Sequence, residues 1–240
     1  MRPRMIFFDY GNTLVYEEVK QNIESLRGVY NSILDKEKIN FQEFYDQFLA
    51  KKEIYRNNHH PFDKEFKYTD LFEKLFQKFQ ATSELSFEEV SEIYFDDYAP
   101  GYPMEGAWEL LDYLEEEDIK FGVISNLSWS SNILRKRLEK IFERHMGPVL
   151  TTGDYIFRKP DKKIFEIAAD ISGYNPLEIW YVGDNPLCDI YGSNLAGMTP
   201  VYFRAKTENV FMKDAEMINL DFEHIDVDHL LELKEILEKR

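Results

Sequence analysis

The sequence predicts an α/β protein, with a doubly wound, Rossmann-like parallel sheet and an α-helical cap domain inserted after the first strand. Short runs that are apolar throughout alternate with helical stretches in the second half of the chain. This alternation is typical of a parallel sheet covered on both faces. One more apolar run lies near the N-terminus, and the long stretch between has helical periodicity and no convincing strand.

The predicted domain division follows from that pattern. The core domain comprises residues 1–15 and 99–240, and the cap domain comprises residues 16–98. The first predicted strand, residues 4–8 (RMIFF), ends at Asp9. Within the cap, apolar side chains recur at helical spacing in four stretches, enough for a small bundle. The four stretches are 26–34, 41–49, 71–79 and 87–94.

Regular alternation of helix and strand resumes after the breakers Pro100, Gly101 and Pro103. Each expected strand is a short apolar run, and each expected helix has one apolar face. The expected helices are 105–117, 132–142, 162–172, 189–195 and 228–238, and the expected strands are 120–124, 148–151, 179–182 and 199–203.

Composition limits the partners and the compartment. The formal net charge is −16 and no long basic run is present, so the chain is not expected to bind nucleic acid. No stretch approaches the ~20 apolar residues of a membrane span, and the N-terminal apolar run is too short for a signal peptide. Cys188 is the only cysteine, so no internal disulfide can form and a cytoplasmic location is expected. The sequence does not indicate an oligomeric state.

Polar residues that could carry chemistry lie at the predicted strand ends, where doubly wound sheets bind their ligands. A carboxylate there can attack phosphorus and form a covalent intermediate. Mg²⁺ usually binds through one or two carboxylates together with phosphate, and an ammonium and a hydroxyl can hold the remaining phosphate oxygens. The residues concerned are Asp9, Ser125, Asn126, Lys159, Asp184 and Asp189.

Four motifs in these positions resemble, in order, those of the haloacid dehalogenase superfamily. They are FFDYGNTL, VISN, RKPDKKIF and YVGDNPLCD. The resemblance implies a hydrolase in which Asp9 is the nucleophile and Lys159 neutralises nucleophile and phosphate. It further implies that Ser125 and Asn126 bind the transferred group. The Mg²⁺ ligands that it implies are Asp9, the backbone carbonyl of Gly11, Asp184 and Asp189.

Gly11 departs from the pattern of the phosphatases in that superfamily. They have a second Asp two residues after the nucleophile, which protonates the leaving oxygen and is typically worth ~10²–10⁴-fold in rate. We expect a Mg²⁺-dependent phosphatase that acts on a small phosphorylated metabolite through an aspartyl-phosphate. It would favour good leaving groups or use another acid, with His59 and His60 as first candidates.

Other interpretations stay open because of Gly11. They are the phosphonate-cleaving branch, which uses a cap lysine such as Lys51 or Lys52, the halide-cleaving branch, and a degenerate member that binds phosphate or a partner without turnover. Cys188 is expected to serve in packing, because its acidic neighbours do not favour a thiolate. The five histidines have no zinc-ligand spacing.

Overall fold

A six-stranded parallel sheet forms the centre of the protein. The computed structural model of the chain describes residues 2–20, 22–59, 65–204 and 218–240. The strand order is β5-β4-β1-β6-β7-β8, with every neighbouring pair parallel. Its strands are β1 (Met5–Phe8), β4 (Lys120–Ser125), β5 (Val149–Thr151), β6 (Ile179–Gly183), β7 (Thr199–Phe203) and β8 (Ile225–Val227). The predicted α/β class is therefore confirmed.

Both faces of this sheet are buried, as the unbroken apolar runs require. Ile6 and Phe8 of β1 belong to the larger apolar cluster on one face, and Met5 and Phe7 belong to a second cluster on the other. The helices of the α/β part cover these faces. They are α5 (Ala107–Glu116), α6 (Ser131–Phe142), α7 (Thr152–Tyr155), α8 (Lys162–Ser172), α9 (Gly192–Leu195) and α10 (Leu230–Glu238).

A layer of four helices lies in the stretch predicted as the cap. They are α1 (Arg27–Asn31), α2 (Phe41–His59), α3 (Tyr68–Phe79) and α4 (Phe87–Tyr98), and the described residues between 20 and 95 contain no strand. Helix α3 packs against α2 and α4, and α1 packs against α4. The first helix is shorter than its periodicity suggested. A 3₁₀ turn precedes it, and Gly28 brings its backbone within 3.2 Å of the Asp97 carboxylate.

A two-stranded antiparallel hairpin joins this layer to the sheet and was not predicted. Strand β2 (Val15–Glu17) pairs with β3 (Gly101–Pro103), and the backbone amide of Glu18 donates to the carbonyl of Pro100 at 2.9 Å. Strands of three residues are too short to show an alternating pattern. The predicted boundary between residues 15 and 16 falls inside β2, while the division into core and cap stays a prediction.

Several other elements differ from the sequence pattern. A π-helical turn, Pro186–Tyr191, precedes α9, where a single helix was expected from Asp189. Helix α10 begins at Leu230 rather than at residue 228. The short elements α7 and β8 were not predicted. In the described part of the chain, no helix is both long and apolar enough to span a membrane.

Aromatic side chains fasten the helical layer to the core. The ring of Trp129, in the loop after β4, stacks on Tyr68 at 4.3 Å and on Phe95 at 4.0 Å between ring centres. Its indole N–H donates to the carbonyl of Ser91 at 3.0 Å. The layer therefore packs directly beside the loops that follow the strand ends.

Candidate active site

The sheet order brings the candidate residues to one edge. Strand β1 lies between β4 and β6 in parallel register, so the residues that follow these three strands emerge side by side. Asp9 follows β1, Ser125 ends β4 and Asp184 follows β6. The backbone amide of Asp9 also donates to the carbonyl of Val182 at 2.8 Å.

Lys159 occupies the centre of the cluster. It is only 4% exposed, and its ammonium donates to Asp9 Oδ1 at 2.8 Å and to Asp189 Oδ1 at 2.5 Å. It also donates to the Tyr181 hydroxyl at 2.7 Å and to the carbonyl of Ile124 at 3.2 Å. Burial favours the neutral amine, but Asp189 and Asp9 outweigh it and hold the pKa of Lys159 above its ordinary value. The side chain is a fixed positive charge.

The carboxylate of Asp9 has opposing neighbours. Its side chain is 14% exposed. Burial raises the pKa of Asp9 to about 6, Lys159 acts in the opposite direction, and the charge of Asp189 raises it further. A cation held at this position would favour the ionised form, which is the form that can act as a nucleophile.

Three carboxylates form a group that suits a divalent cation. Asp9, Asp184 and Asp189 each offer an oxygen within 4.8 Å of the others, and Asp184 and Asp189 are 2% and 1% exposed. The ammonium of Lys159 bonds to two of these three carboxylates, so the cluster keeps an excess of negative charge. Hard oxygen ligands with excess negative charge fit Mg²⁺.

The turn after β6 fixes Asp189. The backbone amide of Asn185 donates to Asp189 Oδ2 at 3.0 Å, while the Asn185 side chain caps the π-helical turn through the amides of Leu187 and Cys188. At Gly183 an added Cβ would lie 2.4 Å from the Asp189 carboxyl carbon. Only glycine fits there while Asp189 keeps its position.

Ser125 and Asn126 take different positions at the end of β4. Ser125 is buried next to Ile124, whose carbonyl accepts from the Lys159 ammonium. Asn126 holds the backbone of Lys159, since its Oδ1 accepts from the Lys159 amide at 2.8 Å and its Nδ2 donates to the Lys159 carbonyl at 3.1 Å. The Asn126 side chain thereby fixes the lysine, and substrate binding by Ser125 and Asn126 stays a prediction.

The position without the second acid has room for a side chain. An added Cβ at Gly11 would meet no heavy atom within 4 Å, and its backbone is not in the left-handed region. Glycine is therefore not required there by local geometry. The side chains of His59 and His60, the alternative acids, lie outside the described residues. For Cys188, burial raises the pKa to about 12, which does not favour a thiolate, and its packing role stays a prediction.

Several residues that contact the site were given no role in the sequence analysis. Tyr181 precedes the motif aspartate by three positions and bonds to both Lys159 and Asp189, although in sequence it reads as one more apolar strand residue. Two other groups, around Glu65 and around Arg137, contact the site's loops over long sequence separations. Only their contacts in the folded chain identify them.

Comparison with known proteins fits this geometry. The family model of haloacid dehalogenase-like hydrolases matches residues 31–203. The chain is a haloacid dehalogenase-like hydrolase. A glyceraldehyde 3-phosphate phosphatase of Pyrococcus furiosus is 27% identical to this hydrolase over 245 aligned residues, covering 99% of the chain and 94% of that protein.

Solved structures of the superfamily share the fold of this hydrolase. A 2-haloacid dehalogenase from Pseudomonas syringae superimposes with a TM-score of 0.63 at 16% identity, over 99% of each chain. A hydrolase of the superfamily from Bacillus subtilis superimposes with a TM-score of 0.55 at 18% identity, again over 99% of each chain. That structure contains bound magnesium and reveals an interdomain movement. At such identities the likeness concerns the fold alone.

Proposed function

We propose that the hydrolase is a Mg²⁺-dependent phosphatase that acts on a small phosphorylated metabolite through an aspartyl-phosphate on Asp9. The observation that carries the proposal is the cluster of one buried ammonium with three carboxylates at the carboxyl edge of the sheet. The phosphatase from Pyrococcus furiosus, similar along the whole chain, supports phosphate chemistry rather than another branch.

Each residue of the cluster has a role in this proposal. One oxygen of Asp9 attacks phosphorus while the bond to the leaving oxygen breaks, and the leaving alkoxide takes a proton from water. Water then attacks the phosphorus of the aspartyl-phosphate, loses a proton to solvent, and releases inorganic phosphate with the free carboxylate. Lys159 and Ser125 hold the equatorial oxygens, on which negative charge is spread in the transition state.

Mg²⁺ would be held by Asp9, Asp184, Asp189 and the backbone carbonyl of Gly11. When bound it would screen the repulsion between the phosphate and Asp9. Lys159 already bonds to Asp9 and Asp189, so the chain itself fixes these two carboxylates before substrate arrives.

The organisation of the chain belongs to the same proposal. Residues 1–15 and 99–240 would form the core domain, and residues 16–98 a cap that covers the site and excludes water. The substrate would be a small molecule rather than nucleic acid, given a net charge of −16. A single thiol suits the reducing cytoplasm, where we place the protein.

A substrate panel tests the proposal. p-Nitrophenyl phosphate, acetyl phosphate, glyceraldehyde 3-phosphate and a sugar phosphate are assayed with Mg²⁺ and with excess chelator. Turnover should require Mg²⁺ and should be lost in Asp9→Asn and in Asp184→Ala. Full phosphate release in chelator would contradict the Mg²⁺ requirement, whereas halide release from a 2-haloacid without any phosphate release would favour the halide-cleaving branch. Binding of phosphate without any turnover would favour the degenerate one.

Gly11 supplies the finer part of the same experiment. With no acid at this position, p-nitrophenyl phosphate and acetyl phosphate should be cleaved far faster than alkyl phosphates, because good leaving groups need little protonation. Gly11→Asp should speed the alkyl phosphates preferentially, by at most ~10²–10⁴-fold. Gly11→Asn is the matched control, since its side chain has the same size but no acidic proton to donate to the leaving group. A wild type already fast on alkyl phosphates would mean that another residue supplies the proton.

Phosphonate cleavage is the second candidate, favoured by the surroundings of Lys52 in α2. Its ammonium lies 4.4 Å from the ring centre of Tyr98 and 3.3 Å from the Tyr94 hydroxyl. Burial lowers the pKa of Lys52 to about 8, so the neutral amine needed to attack a carbonyl is more abundant than on a surface lysine. Borohydride trapping of a carbonyl-bearing phosphonate, abolished in Lys52→Arg but not in Lys51→Arg, would favour this function; absence of an adduct would exclude it.

A further inference from the structure

Glu65 lies just before helix α3 of the helical layer, and its buried carboxylate contacts three residues of the core. Its side chain is 1% exposed. Oε1 accepts from the Ser128 hydroxyl at 2.7 Å, and Oε2 accepts from the Thr152 hydroxyl at 2.8 Å. The guanidinium of Arg158 forms an ion pair with the same Oε2. One carboxylate thus joins the helical layer to three separate core segments.

Those segments lead directly to the candidate active site. Ser128 lies in the loop that follows Ser125, and Arg158 directly precedes Lys159 in the chain. The Thr152 hydroxyl also accepts from the amide of Leu127 at 3.1 Å, which ties the loop after β4 to the start of α7. The contacts of Glu65 therefore converge on the loops that position the Lys159 ammonium.

Backbone hydrogen bonds follow the same path. The amide of Glu65 donates to the carbonyl of Ile156 at 2.8 Å, and the amide of Tyr68 donates to the carbonyl of Ser128 at 3.0 Å. The segment 65–68 is in this way fixed to both loops. If the segment moved away, Arg158 would lose this carboxylate, and the backbone just before Lys159 would lose its contact at Ile156.

We propose that Glu65 is a positioning residue: by seating the helical layer on the core, it holds the segment 156–159 so that Lys159 is directed at Asp9 and Asp189. The inference rests on the proposed function, in which that ammonium neutralises nucleophile and phosphate. Lys159 would be correctly placed only while the layer is docked.

Glu65→Gln is the variant of choice, because it keeps the shape and the hydroxyl partners but removes the charge. Glu92→Gln is its control: Glu92 also joins the helical layer to the core, at 2.8 Å from the Lys136 ammonium, but at an exposed site. A displacement of about 1 Å can cost ~10²-fold in rate. We expect kcat for p-nitrophenyl phosphate to fall about 10- to 100-fold in Glu65→Gln with KM changed less than about threefold, and to stay near wild type in Glu92→Gln.

Amide hydrogen exchange gives a readout that needs no substrate. The amide of Lys159, which donates to Asn126, and that of Tyr68 should exchange faster in Glu65→Gln than in wild type, while amides of β1 stay protected. This result would support the positioning role even if no phosphate ester were turned over, so failure of the proposed function would be recognised separately. Equal behaviour of the two variants in both readouts would overturn the inference. So would faster exchange throughout the protein, which indicates general destabilisation.

Arg158→Lys covers the case in which Glu65→Gln does not fold. The ammonium keeps the charge but loses the fork of the guanidinium. We expect a smaller fall in kcat and the same localised increase in exchange at Lys159. Wild-type kcat and exchange in this variant would count against the proposal.

Discussion

Two buried cations, Lys159 and Arg137, serve different parts of the molecule with the same kind of contact. Lys159 is 4% exposed and gathers Asp9 and Asp189 at the edge of the sheet. Arg137, in α6, is 7% exposed and donates to the carbonyl of Ala99 at 2.8 Å. It further contacts Asp96 at 2.8 Å, the Tyr10 hydroxyl at 3.2 Å and Glu17 at 3.5 Å.

The difference lies in what surrounds each charge. The carboxylates around Lys159 are buried or mostly buried and exceed it in number, so the site keeps negative charge available for a metal ion. Of the two carboxylates near Arg137, Asp96 is 56% exposed and therefore solvated. The Arg137 guanidinium instead contacts both segments that connect the core to the helical layer, through Glu17 in β2 and the carbonyl of Ala99 just before β3. Similar burial thus accompanies a proposed chemical role for Lys159 and a joining role for Arg137.

Lys159→Met should have the largest effect. It removes the ammonium that bonds to both Asp9 and Asp189, so we expect kcat/KM for p-nitrophenyl phosphate to fall about 10³-fold or more. Circular dichroism checks that the variant is folded. Retention of more than about a tenth of the activity would show that the two cations are not specialised as described.

Arg137→Met should act on stability more than on catalysis. Removing one partner of a buried ion pair typically costs about 3–5 kcal/mol, and Glu17 would be left partly buried without it. Denaturant unfolding measures the loss, and kcat per folded molecule should change less than about tenfold. Arg135→Met is the control on the same helix, since its guanidinium contacts one carbonyl, that of Gly147. An equal loss in both variants would contradict the joining role.

Glu17→Gln should have the smallest effect, and one that depends on pH. Burial raises the pKa of Glu17 from 4.5 to about 7, with Arg137 acting against it and Asp9 adding to it. A carboxyl with a raised folded pKa contributes stability that is fully present below pH 4.5 and is lost as pH rises through 7. The side chain introduced by Glu17→Gln cannot ionise, so the variant does not lose this stability as pH rises. The free energy of unfolding of the variant minus that of wild type should therefore be up to about 3 kcal/mol higher at pH 8 than at pH 4.

The measurement for Glu17 is the free energy of unfolding at several pH values. Glu18→Gln, at the exposed neighbouring position, is the control and should follow the wild-type profile. If the profiles of both variants matched that of wild type, the ionisation of Glu17 would not be linked to folding. The junction around Arg137 would then be held by its neutral partners, Tyr10 and Ala99.

The sequence predicted those features that depend on residues close together in the chain, namely the longer strands and the residues at their ends. Apolar runs located β1, β4, β6 and β7, and the strand-end rule located Asp9, Asp184 and Ser125 before any contact was known. The contacts of Glu65 and Arg137 could not be predicted, because their partners are distant in the sequence. Thr152 lies 87 residues from Glu65, and Tyr10 lies 127 residues from Arg137. A lone Glu or Arg on a helix or loop has no pattern that distinguishes a buried partner from a solvated charge. The three-residue strands β2 and β3 were not predicted for a related reason, since only their pairing with each other defines them as strands.

That hairpin gives the chain a modular character. Everything between β2 and β3 enters and leaves through two adjacent, hydrogen-bonded strands, with Glu17 opposite Gly101. A tight turn could close the same hairpin, and loop-closure entropy rises only slowly with the length of an insert. Inserts of different size or shape can therefore be exchanged at this point while the sheet and its carboxylates keep their places. A single insertion between β2 and β3 could accordingly add a helical layer to an ancestral chain without changing the carboxylates at the edge of its sheet.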